Sequence, residues 1–304
     1  MQITARPYAG AEDAERMYVL ATTFPQLTMH VADLPYILSS PALHDDPQHD
    51  VALWEAERGE LLGFGIVQNR MMLQLAVHPA ARDHGLEARI VEWAVARFRR
   101  IAAGRAERLP YWVSAAEEDA ARWAVFERAG FRQGEWSSLH LRRPLDRPLE
   151  VPAVPAGFTV RPLAGEGEVD AYVALHRAAF GTENMTVAWR RRILHAPAYR
   201  PDLDLVVEAP DGRLAAFTIC WLNPHAPGQS GRREGQIEPA GTHPDFRRRG
   251  LATALLREGL RRLAVAGAEV ALVETDTFRG PAQRLYESVG FTLHHRILHF
   301  YRRF

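Results

Sequence analysis

The chain has 304 residues, 47% of them hydrophobic and 24% charged, which suits two folded domains of roughly 150 residues each and excludes a mainly disordered protein. Lys+Arg and Asp+Glu balance at 37 each. Every one of those cations is arginine, so a lysine Schiff base and a Walker lysine are excluded, and the net charge of zero lacks the basic surplus of a non-specific nucleic-acid binder. The single cysteine, Cys220, leaves no intramolecular disulfide framework and no Cys-rich zinc site; no metal is expected. No stretch approaches the ~18 consecutive apolar residues of a membrane span. The opening MQITARPYAGAEDAER has no apolar signal core, so a cytoplasmic protein is expected. The load of Arg, Ala, Gly and Pro suggests a GC-rich bacterial source.

In chain order, a short strand over 3–6 leads into a helical region. A hairpin follows in DVALWEAERGELLGFGIV, then a strand over 71–77 and a loop with Gly85 that opens a helix. The second half repeats this plan. A strand over 159–161 precedes helical sequence, and LDLVVEAPDGRLAAFTICWL forms a hairpin about Asp211-Gly212, a strong turn signal. A strand over 236–242 follows, with a helix over 250–266. Leu251, Leu255, Leu256, Leu260 and Leu263 form the apolar stripe of that helix, with Arg257, Glu258, Arg261 and Arg262 opposite. AEVALVET reads as a strand and PAQRLYES as a short helix. Gly290 stops that helix, and a terminal strand starts at Phe291.

The two halves match in four blocks and in the same order. TARPYAG from Thr4 matches TVRPLAG from Thr159, and WEAERGELLGFGIV from Trp54 matches VEAPDGRLAAFTIC from Val207. HPAARDHGL from His78 matches HPDFRRRGL from His243, and FERAGF from Phe126 matches YESVGF from Tyr286. The segment NPHAPGQSGRRE, rich in turn formers, fits an insertion in the second half. RRPLDRPLEVPAVPAG reads as a linker, which places domain one at 1–147 and domain two at 148–304.

The strongest chemical signal is Arg247-Arg248-Arg249-Gly250-Leu251-Ala252, between a strand and an amphipathic helix. A helix N-terminus offers unpaired N–H groups and a positive dipole end, and small residues there let backbone approach a pyrophosphate. Alone, such a hexapeptide is more often an ordinary capped helix with a solvated basic turn.

Together with its surroundings it resembles the GNAT superfamily of N-acetyltransferases. The acyl-CoA signature of that family, Arg/Gln-x-x-Gly-x-Gly/Ala, is met by Arg247, Gly250 and Ala252. THPDF resembles its usual lead-in, and Ala282 followed by Leu285-Tyr286-Glu287 and Gly290-Phe291 resembles its later motif. Arg279 stands where the family often has Asn. The resemblance implies an α/β fold of two tandem GNAT domains, each a mixed, mostly antiparallel sheet flanked by helices. It implies acetyl-CoA held by Ala240, Gly241, Thr242, Arg247, Arg248, Arg249, Gly250, Leu251, Ala252 and Thr253. It makes Tyr286 the general acid for the leaving thiol. The family's strand Glu maps closest to Gln236. Glu238 lies two residues on and is the candidate base, with a strand-end carboxylate in solvent or paired to an arginine as the bland alternative. Pro239 cannot donate to a ladder and marks an edge or bulge. Glu274 and Asp276 are weaker candidates for base or for binding a cationic substrate.

The repeat allows an internal comparison. Glu87 stands at the place of Ala252, Phe126 at that of Tyr286, Leu73 at that of Glu238 and Met71 at that of Gln236. The first half is therefore expected to be a degenerate partner domain. Cys220 in FTICW reads as a buried structural thiol. His243 and its counterpart His78 read as turn residues. His294, His295 and His299 do not share one strand face, and the short arginine runs read as solvated surfaces. The reading is an N-acetyltransferase moving an acetyl group to a primary amine of a small molecule. The alternatives are a non-catalytic acyl-CoA sensor and an acetyltransferase of protein lysines or N-termini.

Overall fold

A computed structural model describes residues 2–24, 28–30, 33–41, 43, 47–146, 154–196, 198–222 and 231–304. Residues 147–153 of the linker expected before domain two and most of the segment NPHAPGQSGRRE lie outside the described residues. The chain forms two compact units: Met1–Leu139 together with His295–Phe304, and His140–His294. Mixed sheets flanked by helices build both.

The first unit contains β1 (Ile3–Pro7), α1 (Ala11–Thr23), α2 (Asp33–Leu38), β2 (Val51–Ala56), β3 (Leu61–Gln68), β4 (Met72–Val77), α3 (Leu86–Ala103), β5 (Pro110–Ala116) and α4 (Ala120–Arg128). The strand β6 (Arg132–Pro144) starts in this unit and crosses into the other. Strands β1 to β4 form an antiparallel meander in chain order, and β4 pairs parallel with β5. Apolar alternation buries both faces of this sheet. Leu73, Leu75 and Val77 join Ile90, Ala94 and Phe98 of α3 on one side. Leu53, Phe64, Ile66 and Ala76 join Met17 and Leu20 of α1 on the other.

The second unit repeats the plan with β7 (Thr159–Pro162), α5 (Val169–Phe180), α6 (Val187–Leu194), β8 (Asp204–Glu208), β9 (Leu214–Leu222), β10 (Glu234–Thr242), α7 (Leu251–Val265), β11 (Val270–Asp276) and α8 (Gly280–Ser288). The expected hairpin is β8–β9, with Gly212 at a left-handed φ of 82° in its turn. The helix expected over 250–266 is α7, and its five stripe leucines are all buried. Burying each is worth about 2 kcal/mol. A Cβ at Gly259 would stand 2.8 Å from Cys220 Sγ, so this glycine lets α7 lie close on β9.

The final strand, β12 (Thr292–Arg303), supplies a difference from the linear division at 147/148. Its residues from His295 onward belong to the first unit, where Ile297 to Arg303 pair antiparallel with Ala116 to Pro110 of β5. Reciprocally, the end of β6 belongs to the second unit. Two arginines mark this exchange. Arg302 of β12 donates to the carbonyl of Ala129 after α4, and Arg143 of β6 donates to that of Val289 after α8. Each repeat thus ends in a strand whose arginine caps a helix built by the other repeat.

Candidate active site

The site in the second unit starts from an interrupted sheet. Strands β10 and β11 pair in parallel only at Glu234↔Val270, Gly235↔Ala271 and Gln236↔Leu272. Beyond Gln236, β10 continues to Thr242 with β9 as its paired neighbour. Alternate backbone groups of that stretch face the opened edge. Here β10 also carries an extra residue. Ile237 pairs with Cys220 and Ala240 with Thr218, so Glu238 and Pro239 together oppose Ile219. This is the bulge that Pro239 predicts.

Beyond Thr242 the chain makes a one-turn 3₁₀ helix, Pro244–Phe246, capped by His243 Nδ1, which accepts from Asp245 N at 3.2 Å. His78 caps the matching turn of the first unit in the same way, which is the turn role expected of both. Arg248 and Gly250 then adopt left-handed backbone at φ 59° and 80°. Gly250 is the N-cap of α7 and offers no side-chain cap. A Cβ there would meet nothing within 4 Å. The first-turn N–H groups of α7 thus have no side-chain cap, and the glycine leaves space beside them, as Gly85 does in the first unit, an arrangement that can receive an anion.

The residues around this turn divide by task. Arg247 folds back, donating to Ala179 O at 2.9 Å and Thr242 O at 3.3 Å; it braces the loop against the end of α5. Arg249 donates to Asp245 O at 3.3 Å and lies 5.5 Å from the Phe246 ring. The exposed Arg248 makes no hydrogen bond or ion pair among the described residues, leaving it available to a charged ligand. Leu251 is buried in the core with Phe246 and Leu255 and contributes backbone only. Ala252 and Thr253 are half-buried on the first turn. Gly241 has no room for a side chain, since a Cβ would meet the Phe217 ring at 2.6 Å. Ala240 and Thr242 are half-buried on β10.

Tyr286 projects from α8, is 8% exposed and packs edge-on to Phe291 at 6.0 Å. Burial first, and the Glu238 carboxylate second, push its phenol above the ordinary tyrosine pKa, while Arg279 opposes them. The Glu238 carboxylate, far from Tyr286 in sequence, is thus among the charges that act on its phenol. The other acids are engaged elsewhere: Glu274 lies 3.1 Å from His140 Nε2, and Asp276 pairs with Arg279 at 3.1 Å. Cys220 is buried, and burial raises its thiol pKa, so it is no ready nucleophile.

Sequence reasoning missed Trp221. Its indole N–H donates to the Glu238 carbonyl at 2.5 Å. In FTICW it looks like any core aromatic, and only the register shows what it reaches. Sequence also gave no sign of a buried polar group behind it. Arg190 pairs with Asp204 Oδ2, which accepts from Tyr199 OH at 2.7 Å.

The first unit has the same scaffold with different contents. Strands β4 and β5 also pair at only two positions, Met72↔Trp112 and Leu73↔Val113. Gly85 caps α3 at φ 73° without a side-chain bond. Yet β4 pairs with β3 in unbroken register. The Glu87 carboxylate of the first turn is held by Arg122, at 2.5 and 3.1 Å, and by Arg82 at 3.1 Å. Arg82 also reaches Asp119 at 2.6 Å. Glu87 therefore brings no bare negative charge; it is the internal anion of its own cradle. Phe126 is fully buried.

An opened strand pair followed by an uncapped glycine turn is the arrangement that the acyl-CoA signature implies. Residues 169–291 match the Acetyltransferase (GNAT) family. Mycothiol acetyltransferase of Thermobispora bispora is 30% identical over 239 residues, 77% of either chain. Among solved structures, a GCN5-related N-acetyltransferase from Sphaerobacter thermophilus superposes with a TM-score of 0.69 at 20% identity, over 99% of this chain and 95% of its own. A tandem GNAT protein from the clavulanic acid biosynthesis pathway gives 0.69 at 16%, over 99% and 98%. The chain belongs to the GNAT family of acetyltransferases, a family whose chemistry implies binding of an acyl-CoA. No helix among the described residues is long and apolar enough to cross a membrane.

Proposed function

We propose that this acetyltransferase moves an acetyl group from acetyl-CoA, bound by the second unit, to a primary amine of a small molecule. The observation that carries the reading is the bulge at Glu238-Pro239, where β10 has parted from β11, in the same unit as the buried Tyr286 phenol on which the Glu238 carboxylate acts. The backbone N–H groups of Leu251, Ala252 and Thr253, with the Arg248 guanidinium, would hold the pyrophosphate. The name of the Thermobispora relative, mycothiol acetyltransferase, supports an acceptor that is a small molecule.

Acetyl-CoA supplies the thioester carbonyl and the leaving thiol. Glu238 takes the proton that the amine nitrogen loses as the C–N bond forms. Tyr286 gives its hydroxyl proton to sulfur as the C–S bond breaks. The proton on Glu238 then returns to the Tyr286 oxygen, directly or through solvent, which restores both groups. The acid and base are coupled. While Glu238 is ionised it raises the Tyr286 pKa, keeping the proton on the phenol. Once Glu238 is protonated that contribution vanishes and Tyr286 becomes the stronger acid, at the moment when sulfur needs a proton.

A screen of amines for thiol release from acetyl-CoA tests the reading. Turnover with one or more small amines is expected, lowered at least tenfold by Glu238→Gln. Acetyl-CoA binding with no turnover across amines, peptides and protein N-termini would favour the sensor instead.

A further inference from the structure

A β-bulge leaves backbone groups outside the paired register, and each needs another partner. In β10 the register breaks between Ile237 and Ala240, so Glu238 sits where the ladder no longer fixes its direction. That freedom matters, because the direction of the Glu238 side chain depends on how its peptide is held within the bulge. Trp221 stands opposite Gln236 in the β9–β10 register, one strand away and two residues before Glu238. Its side chain reaches forward and donates the indole N–H to the Glu238 carbonyl at 2.5 Å.

The ring making this bond is itself fixed. Trp221 is 3% exposed and meets Tyr199 edge-on at 6.4 Å and 71°. The Tyr199 hydroxyl donates to Asp204, and Asp204 is held by the buried Arg190 guanidinium, which lies 3.8 Å from the Tyr172 ring. A chain of contacts therefore runs from the helices α5 and α6 through β8 and β9 to one carbonyl of β10. The first unit shows why such a device belongs to the second alone. Its β4 has no bulge, and Leu73 stands where Glu238 would be.

We propose that Trp221 is a positioning residue for the reaction: its indole N–H pins the bulge carbonyl of Glu238 and so fixes the peptide from which that side chain projects. This rests on the reading of Glu238 as base. Trp221 touches no reacting atom in this account; it acts through the peptide it holds.

The sharpest test removes the N–H and keeps the ring, by replacing Trp221 with benzothienylalanine; Trp221→Phe is the genetically simple companion. The expected result is a kcat lowered about tenfold, with acetyl-CoA Kd unchanged within twofold. In a Glu238→Gln background the same replacement is expected to change kcat by less than twofold, because its effect passes through that carboxylate. A second readout is the titration of Tyr286 by NMR with ring-labelled tyrosine. Loss of the N–H frees that peptide and weakens the hold of the carboxylate on the phenol, so Tyr286 should titrate at lower pH, with Arg279 still acting on it. Unchanged kcat, an equal loss in the Glu238→Gln background, or an unmoved Tyr286 titration in the benzothienyl variant would overturn the proposal. Should Glu238→Gln itself keep full activity, the base reading fails, and the Tyr286 titration still decides whether Trp221 fixes that peptide.

Discussion

The two units share a scaffold and differ in what fills it. Each opens a parallel strand pair after two or three paired positions, and each starts the following helix with a left-handed glycine. In the first, Glu87 supplies the negative charge, and the buried Arg122, the exposed Arg82 and Asp119 close a network about it. In the second, Ala252 replaces that glutamate, Ala282 stands at the place of Arg122 and Arg279 at that of Asp119. Asp276 pairs with Arg279, while Arg248 has no internal anion among the described residues and is left to a charged ligand. One fold can thus be closed or opened to an anion by exchanging a few side chains around one turn. The rest of the chemistry follows the same division, since the bulge, Glu238 and Tyr286 all lie in the open unit.

Transplanting the closing residue should have the largest effect. Ala252→Glu places a carboxylate on the first turn of α7 without the arginines that neutralise Glu87. Acetyl-CoA affinity is expected to fall by roughly 100-fold or more, read by calorimetry, because like charges in contact cost several kcal/mol. Next in size is the acid. Tyr286→Phe should lower kcat by roughly 100-fold with acetyl-CoA affinity and melting temperature nearly unchanged, since the ring keeps its packing on Phe291. The reverse change, Phe126→Tyr, should add no activity, because neither a bulge nor a carboxylate faces it. The upper limb of the pH–rate profile should lie above the ordinary tyrosine value of ~10, since burial and Glu238 hold the phenol protonated.

Opening the closed unit should weaken the fold without creating a site. Glu87→Ala removes the closest acid from the buried Arg122, leaving Asp119 at 3.7 Å, and about 3 kcal/mol of stability should be lost, read by denaturant unfolding, with turnover unaffected. An effect of similar size separates the units by pH. Burial against Phe217 and Tyr172, with Arg190 near by, depresses His176 from 6.5 to about 4. Aligning Thr4 with Thr159 puts Ala21 at the same place in the first unit. Stability from the neutral His176 is fully present above pH 6.5 and is lost as pH falls towards 4, because only the unfolded chain takes the proton there. The loss should approach about 3 kcal/mol at its acid limit and be absent in His176→Phe.

Much of this was legible in the sequence, because it is written locally. Asp211-Gly212, the leucine stripe of α7, the Gly250 turn and Pro239 each act within a few residues of themselves. The motif around Tyr286 carried the family, and the repeat carried the asymmetry. What escaped depends on distant partners. The strand over 292–303 has the same apolar alternation whichever neighbour it joins, so its place beside β5 could not be read. Arg247 fits a phosphate motif, yet its guanidinium is spent on Ala179 O and Thr242 O. Glu87 looked like an obstacle because Arg122, 35 residues away, gives no local sign of pairing with it. Trp221 was hidden by its apolar neighbours.

The central claim is that one unit of the two receives the acyl donor. Calorimetric titration of the intact chain with acetyl-CoA tests it most directly, with Ala252→Glu and Gly85→Glu measured alongside. The account predicts one site per chain, lost in Ala252→Glu and retained in Gly85→Glu. Two sites of comparable affinity, or a single site that survives Ala252→Glu and disappears in Gly85→Glu, would contradict it.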